Sequence, residues 1–130
     1  LMLAEAENEA YGGPTTLAYE CINEVRRRAN SDYPAVAGLG QEDFRRLIID
    51  ERGRELCFEG KRWFDLVRVA VRNDGQYKNK LVSLLLQNVA AKDRPLYQAK
   101  LQNTYGYYLP INESDMIASG GVLVQNPYYL

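Results

Sequence analysis

The sequence predicts a mostly α-helical protein, built of helical hairpins packed with further helices and ending in an irregular, loop-rich C-terminal tail. Three observations carry that expectation. Apolar residues recur at helical spacing along the first two thirds of the chain. Clusters of glycine and proline cut this pattern into helix-sized pieces. From Thr104 onward the periodicity gives way to Tyr, Pro, Asn and Gly. With 130 residues, of which 46% are hydrophobic and 25% charged, the chain has the size and composition of one globular domain.

The first helix spans about 1–11 and is stopped by Gly12-Gly13-Pro14. Thr15 or Thr16 caps the second, in which Ala18, Cys21, Ile22, Val25 and Ala29 form one apolar face. Two such helices joined by a short turn make a hairpin, the unit of tetratricopeptide-type arrays. One hairpin cannot bury its own face, so further helices are expected to precede it. Residues 30–40, with Pro34, Gly38 and Gly40, form a loop. A third helix is expected over 41–58 or 41–59, with Gly60 as C-cap or hinge. A fourth follows over 62–72, ended by Asn73-Asp74-Gly75. Leu81, Leu84, Leu85 and Val89 place another over 77–91, and after Pro95 a short one is expected over 96–103. Asn112 can cap a turn of helix over 113–117, and 124–129 is expected to be extended.

Net charge is −1, which gives no basic excess for nucleic acid. No apolar run approaches the roughly 18 residues of a membrane span. The opening Leu1-Met2-Leu3-Ala4-Glu5-Ala6 is already in helical register, as expected of a piece of a longer protein. Histidine is absent, which removes the commonest general base and metal ligand. Cys21 and Cys57 both fall in helical apolar patterns and are expected to be buried thiols. No metal or cofactor site is expected.

The residues from Glu51 to Arg68 are the most informative. Glu51, Glu55 and Glu59 recur every fourth position, on the helical face that also carries Phe44, Leu47, Ile48 and Phe58. Carboxylates on a buried face cost several kcal/mol unless cations satisfy them. Arg52, Arg54, Arg62 and Arg68 are the nearby candidates. Glutamates four apart could also form the acid/base pair of a glycosidase. Their interleaving with arginine favours an internal ion network bracing the third helix against the fourth, with Arg62 and Asp65 tying the latter in. Glu51 and Glu55 are expected to be its least exposed members, and loss of Glu55 to cost several kcal/mol.

Trp63 could be a sugar-stacking platform, but its place at the start of an amphipathic helix favours core or inter-helix packing. Tyr105, Tyr107 and Tyr108 are better ligand-binding candidates, since in a loop the polar edge of the ring stays wet. The chain has ten tyrosines, so packing is the competing role for these three. The run Arg26-Arg27-Arg28 reads as a solvated helix face.

Four ordered segments resemble the C-terminal part of the SusD/RagB family, surface lipoproteins of Bacteroidetes. They are Ile22-Asn23-Glu24-Val25-Arg26-Arg27-Arg28-Ala29, then Glu51-Arg52 with Glu55-Leu56, Phe58-Glu59-Gly60 and Arg62-Trp63-Phe64-Asp65-Leu66-Val67-Arg68, then Leu109-Pro110-Ile111 with Glu113, and Gln125-Asn126-Pro127 with Tyr129. Asn112 stands where the family usually has a second proline, Tyr128 where it has glycine, and Ser119-Gly120-Gly121 where it has Asn-Pro.

The resemblance implies that residues 1–130 are the C-terminal part of a single SusD-like domain. It implies a binding protein and not an enzyme, needing no cofactor. Such a protein captures oligosaccharide or another nutrient and delivers it to a SusC-type TonB-dependent transporter. It sits on the outer membrane through an N-terminal lipid anchor outside these residues, and most ligand-contacting segments of the family also lie elsewhere in the chain. The rival readings are a helical-repeat interaction module with no small ligand and, further off, a carbohydrate-active enzyme using the glutamates.

Overall fold

Every regular element is helical among the residues that the computed structural model describes, which are 1–75 and 77–130, with the backbone alone for 73, 74 and 80. The chain divides into two units, Leu1–Trp63 and Phe64–Leu130.

In the first unit α1 (Met2–Ala10) packs against both α2 (Thr16–Ala29) and α3 (Gln41–Glu55). Thr15 closes the first turn. Its Oγ accepts from the Ala18 N–H at 3.1 Å and donates to the Glu7 carboxylate at 2.7 Å, so one hydroxyl caps α2 and ties it to α1. Ala4, Ala18, Ile22, Phe44 and Ile48 are fully buried, and Tyr19 meets Phe44 edge to face with centroids 5.1 Å apart. Polar residues join the same helices. The Asn8 amide donates to Gln41 O at 3.1 Å, while the Gln41 amide donates to Asn8 O at 3.0 Å. Arg45 grips Glu9 through two nitrogens at 2.7 and 2.8 Å, the paired geometry suited to a guanidinium in a mostly buried site.

Side chains of α2 hold the loop of residues 30–40. Asn23 donates to Val36 O at 3.0 Å and accepts from Val36 N–H at 2.7 Å. The Tyr19 hydroxyl donates to Leu39 O and accepts from Leu39 N–H in the same way. Arg26 lies 5.1 Å over the Tyr33 ring.

The third helix is shorter than the sequence predicts. It ends at Glu55, with Leu56 as C-cap. The following turn places Phe58 at φ 67 and Gly60 at φ 70. Three expectations fail for this one reason. Phe58 leaves the apolar face and is wholly exposed, at 103%. Glu59 leaves the carboxylate row and pairs with Lys61 at 2.7 Å on the surface. Cys57 falls in the turn and is exposed, while Cys21 is half-buried.

A left-handed backbone costs a non-glycine residue roughly 1–2 kcal/mol, part of which glycine's extra unfolded-state entropy cancels. Phe58→Gly is therefore expected to stabilise the protein by about 0.5–1 kcal/mol, because no ring burial is lost. A thermal melt should show a Tm higher by about 2–4 °C. A lower Tm would mean that the ring makes a contact that matters.

In the second unit the bounds also shift. Helix α4 (Arg62–Gly75) crosses from the first unit into the second and takes the expected turn into its own last turn, with Gly75 at φ 82. Its buried apolar residues, among those described, are Leu66, Val67, Val69 and Ala70, and Leu81 and Val82 of α5 (Lys78–Leu86) are buried as well. Helix α5 stops five residues earlier than predicted, as tight turns at Asn88 and Val89 bond back to Leu85 and Leu86. Helix α6 (Arg94–Leu101) begins before Leu96 because Pro95 sits in its first turn, where its missing N–H has no partner to lose. A 3-10 turn follows over Thr104–Tyr107, then α7 (Glu113–Ala118), capped as expected by Asn112. The tail is not extended to its end: Pro127–Tyr129 forms a second 3-10 turn packed beside the first.

Candidate functional site

The carboxylate row resolves into a brace between α2 and α3. Glu51, 4% exposed, accepts from Arg26 Nη1 at 3.3 Å and from Arg54 Nη1 at 2.7 Å. Glu55 pairs with Arg28. The expected link to the fourth helix takes another form. Arg62 donates to Ile49 O at 2.7 Å and lies 3.9 Å from Asp50. Gly53 permits this, since a Cβ there would lie 2.8 Å from Arg62 Nη1. Asp65, 6% exposed, pairs along its own helix with Arg68 at 3.6 Å.

In the run Arg26-Arg27-Arg28, Arg27 lies on a solvated face as expected and meets Glu24 in an exposed pair, whereas the side chain of Arg26 is only 17% exposed. The signal was present: Arg26 lies one turn beyond Ile22, close to the buried face of α2. Trp63 is also displaced from expectation. It keeps 37% of its surface, because it stands in the first turn of α4, at the end of the stripe that Val67 and Ala70 continue.

The second constellation lies in the tail. Gln125 is a two-way staple: its Oε1 accepts from Ile111 N–H at 2.9 Å and its Nε2 donates to Ile111 O at 2.9 Å. The same Oε1 accepts from Asn126 N–H at 2.8 Å. Asn126 then donates to Tyr105 O at 2.9 Å and Tyr108 O at 3.3 Å, and its Oδ1 accepts from Tyr128 N–H at 3.1 Å. Tyr128 lies over Gly106, where a Cβ would come within 3.1 Å of the ring.

These bonds fold the tail onto residues 105–111 and leave a hollow of about 490 Å³, lined by Tyr105, Tyr108, Leu109, Val124 and Pro127 with the two stapling amides. The three candidate tyrosines separate here. Tyr105 and Tyr108 are 56% and 50% exposed and border the hollow. Tyr107 is 2% exposed and donates its hydroxyl to Leu101 O at 2.6 Å. Burial raises the pKa of that hydroxyl above its ordinary value, which keeps the donor protonated. Tyr107 thus anchors the segment that presents the other two rings.

Among the described residues no group of three or more His, Cys, Asp or Glu could hold a metal ion, and no helix is long and apolar enough to cross a membrane.

A family model for the SusD family matches residues 1–129. The chain belongs to the SusD family. It is similar to SusD-like protein P2 of Formosa agariphila, 31% identical over 135 residues that cover 99% of this chain and 24% of that protein. It is also similar to SusD-like protein P25 of the same organism, 43% identical over 76 residues, 57% of this chain and 14% of that protein. The chain thus spans about a quarter or less of the length of these relatives. No solved structure matches it significantly.

In this SusD-family chain the motif residues have structural work. Ile22 fills the core, Asn23 pins the loop at Val36, and Arg26 meets Glu51. Gly60 turns the chain into α4, and Gln125-Asn126 fix the tail.

Proposed function

We propose that this chain is part of a cell-surface binding protein that captures oligosaccharide, or a comparable nutrient, and passes it to a SusC-type TonB-dependent transporter. The protein is held on the outer membrane by an N-terminal lipid anchor and works without cofactor or covalent chemistry. Family membership over residues 1–129 is the observation that supports this reading. The carboxylates that could have argued for hydrolysis are engaged with arginines, and Glu51 has almost no surface to offer a substrate.

Within these residues, Tyr105 and Tyr108 are the candidate contacts, with Tyr107 holding them in place. A phenol ring stacks on the C–H face of a sugar while its hydroxyl bonds at the edge. The test is calorimetric titration of the intact protein against a glycan panel. Saturable binding without turnover is the expected result. A panel that gives no binding overturns glycan capture in favour of a helical interaction module. Hydrolysis that vanishes on Glu51→Gln or Glu55→Gln overturns it in favour of an enzyme.

A further inference from the structure

We infer that the Tyr105–Tyr108 hollow accepts an uncharged sugar and rejects carboxylated or sulfated ones; the inference rests on the glycan-capture reading above. No lysine or arginine occurs between Leu101 and Leu130, and the charged residues of that stretch are Glu113 and Asp115, both in the first turn of α7. None of the residues bordering the hollow is charged.

The polar groups that could have replaced a cation are committed. The oxygen of Gln125 accepts from two backbone N–H groups, and both N–H groups of the Asn126 amide go to carbonyls. One N–H of Gln125 and one lone pair of Asn126 Oδ1 remain, with the two phenol hydroxyls. A sulfate or carboxylate placed there would lose hydration and meet no cation in the lining, which is unfavourable even in a partly open site. A neutral pyranose loses little. Its C–H face covers a tyrosine ring and the exposed Leu109 and Val124 side chains, and its hydroxyls point to water or to the phenols.

The experiment is titration of the intact protein with neutral hexasaccharides of glucose, mannose and xylose, and with oligogalacturonate and sulfated galactan fragments of matched length. Neutral ligands should bind, and Tyr105→Ala and Tyr108→Ala should each weaken them by about tenfold. Both rings are exposed, so circular dichroism should be unchanged in these variants. Leu109→Arg, which puts a cation in the lining, should raise affinity for oligogalacturonate. Tyrosine-dependent binding of an anionic glycan by the natural chain overturns the inference and leaves glycan capture standing. Neutral binding indifferent to both tyrosine variants removes the site from this hollow. Absence of binding by every probe overturns the glycan-capture reading itself.

Discussion

Glu51→Ala is expected to destabilise the protein by about 3 kcal/mol, the lower end of what removal of one partner from a buried ion pair costs. The reason lies in what remains. Arg26, with a side chain 17% exposed, would keep its charge and lose the carboxylate 3.3 Å away. Its Nε is already buried without a hydrogen-bond partner, and the Tyr33 ring 5.1 Å away offers a weaker cation–π contact in place of the carboxylate. Arg54 would suffer far less, since its side chain is 61% exposed.

The neighbouring Glu55 sets the comparison. Its partner Arg28 is 68% exposed, so Glu55→Ala should cost under about 1 kcal/mol, far below what its place in the carboxylate row suggested. Urea unfolding of both variants checks the ranking, and similar losses would overturn it. The double variant Arg26→Met/Glu51→Leu should recover most of the stability, because two apolar side chains need no partner.

Gln125→Ala and Asn126→Ala are expected to cost about 2 kcal/mol each, and to do so locally. Each side chain makes three hydrogen bonds to backbone, and each loss frees the tail from residues 105–111. Hydrogen exchange is the suitable measurement. The amides of Ile111 and Tyr128 should exchange about thirty-fold faster, while those of the α1–α3 unit stay unchanged. Uniform acceleration across the chain would show that the tail is part of the global fold and not a separately stapled element. Loss of the staple also dissolves the hollow beside Tyr105 and Tyr108, so any ligand bound there should be lost with it.

Much of the architecture is legible from residue order. Gly12-Gly13-Pro14, Thr15 and the stripe through Ala18 and Ile22 place the first hairpin to within a residue or two, because capping and periodicity are local. Asn112 marks α7 for the same reason. The errors fall where a decision is not local. Nothing in the order Glu55-Leu56-Cys57-Phe58 announces that the helix will end at Glu55 and Phe58 turn left-handed, and that early end removed Cys57, Phe58 and Glu59 from the face assigned to them.

The candidate site shows the same division. Tyr105, Tyr107 and Tyr108 are indistinguishable by composition, yet a 3-10 turn sends the middle ring inward and leaves the other two outside. Gln125 and Asn126 carry no chemical signal of their own, and their role exists only once residues 105–111 lie beside them.

By itself, then, the sequence determined the helical class, the family motifs and the presence of a buried carboxylate at Glu51, since each depends on spacing along one helix. The tertiary structure alone decided that Arg26 of α2 meets that carboxylate and which tyrosines face outward. Those outcomes depend on contacts between residues distant in the chain, whose energies no local pattern encodes.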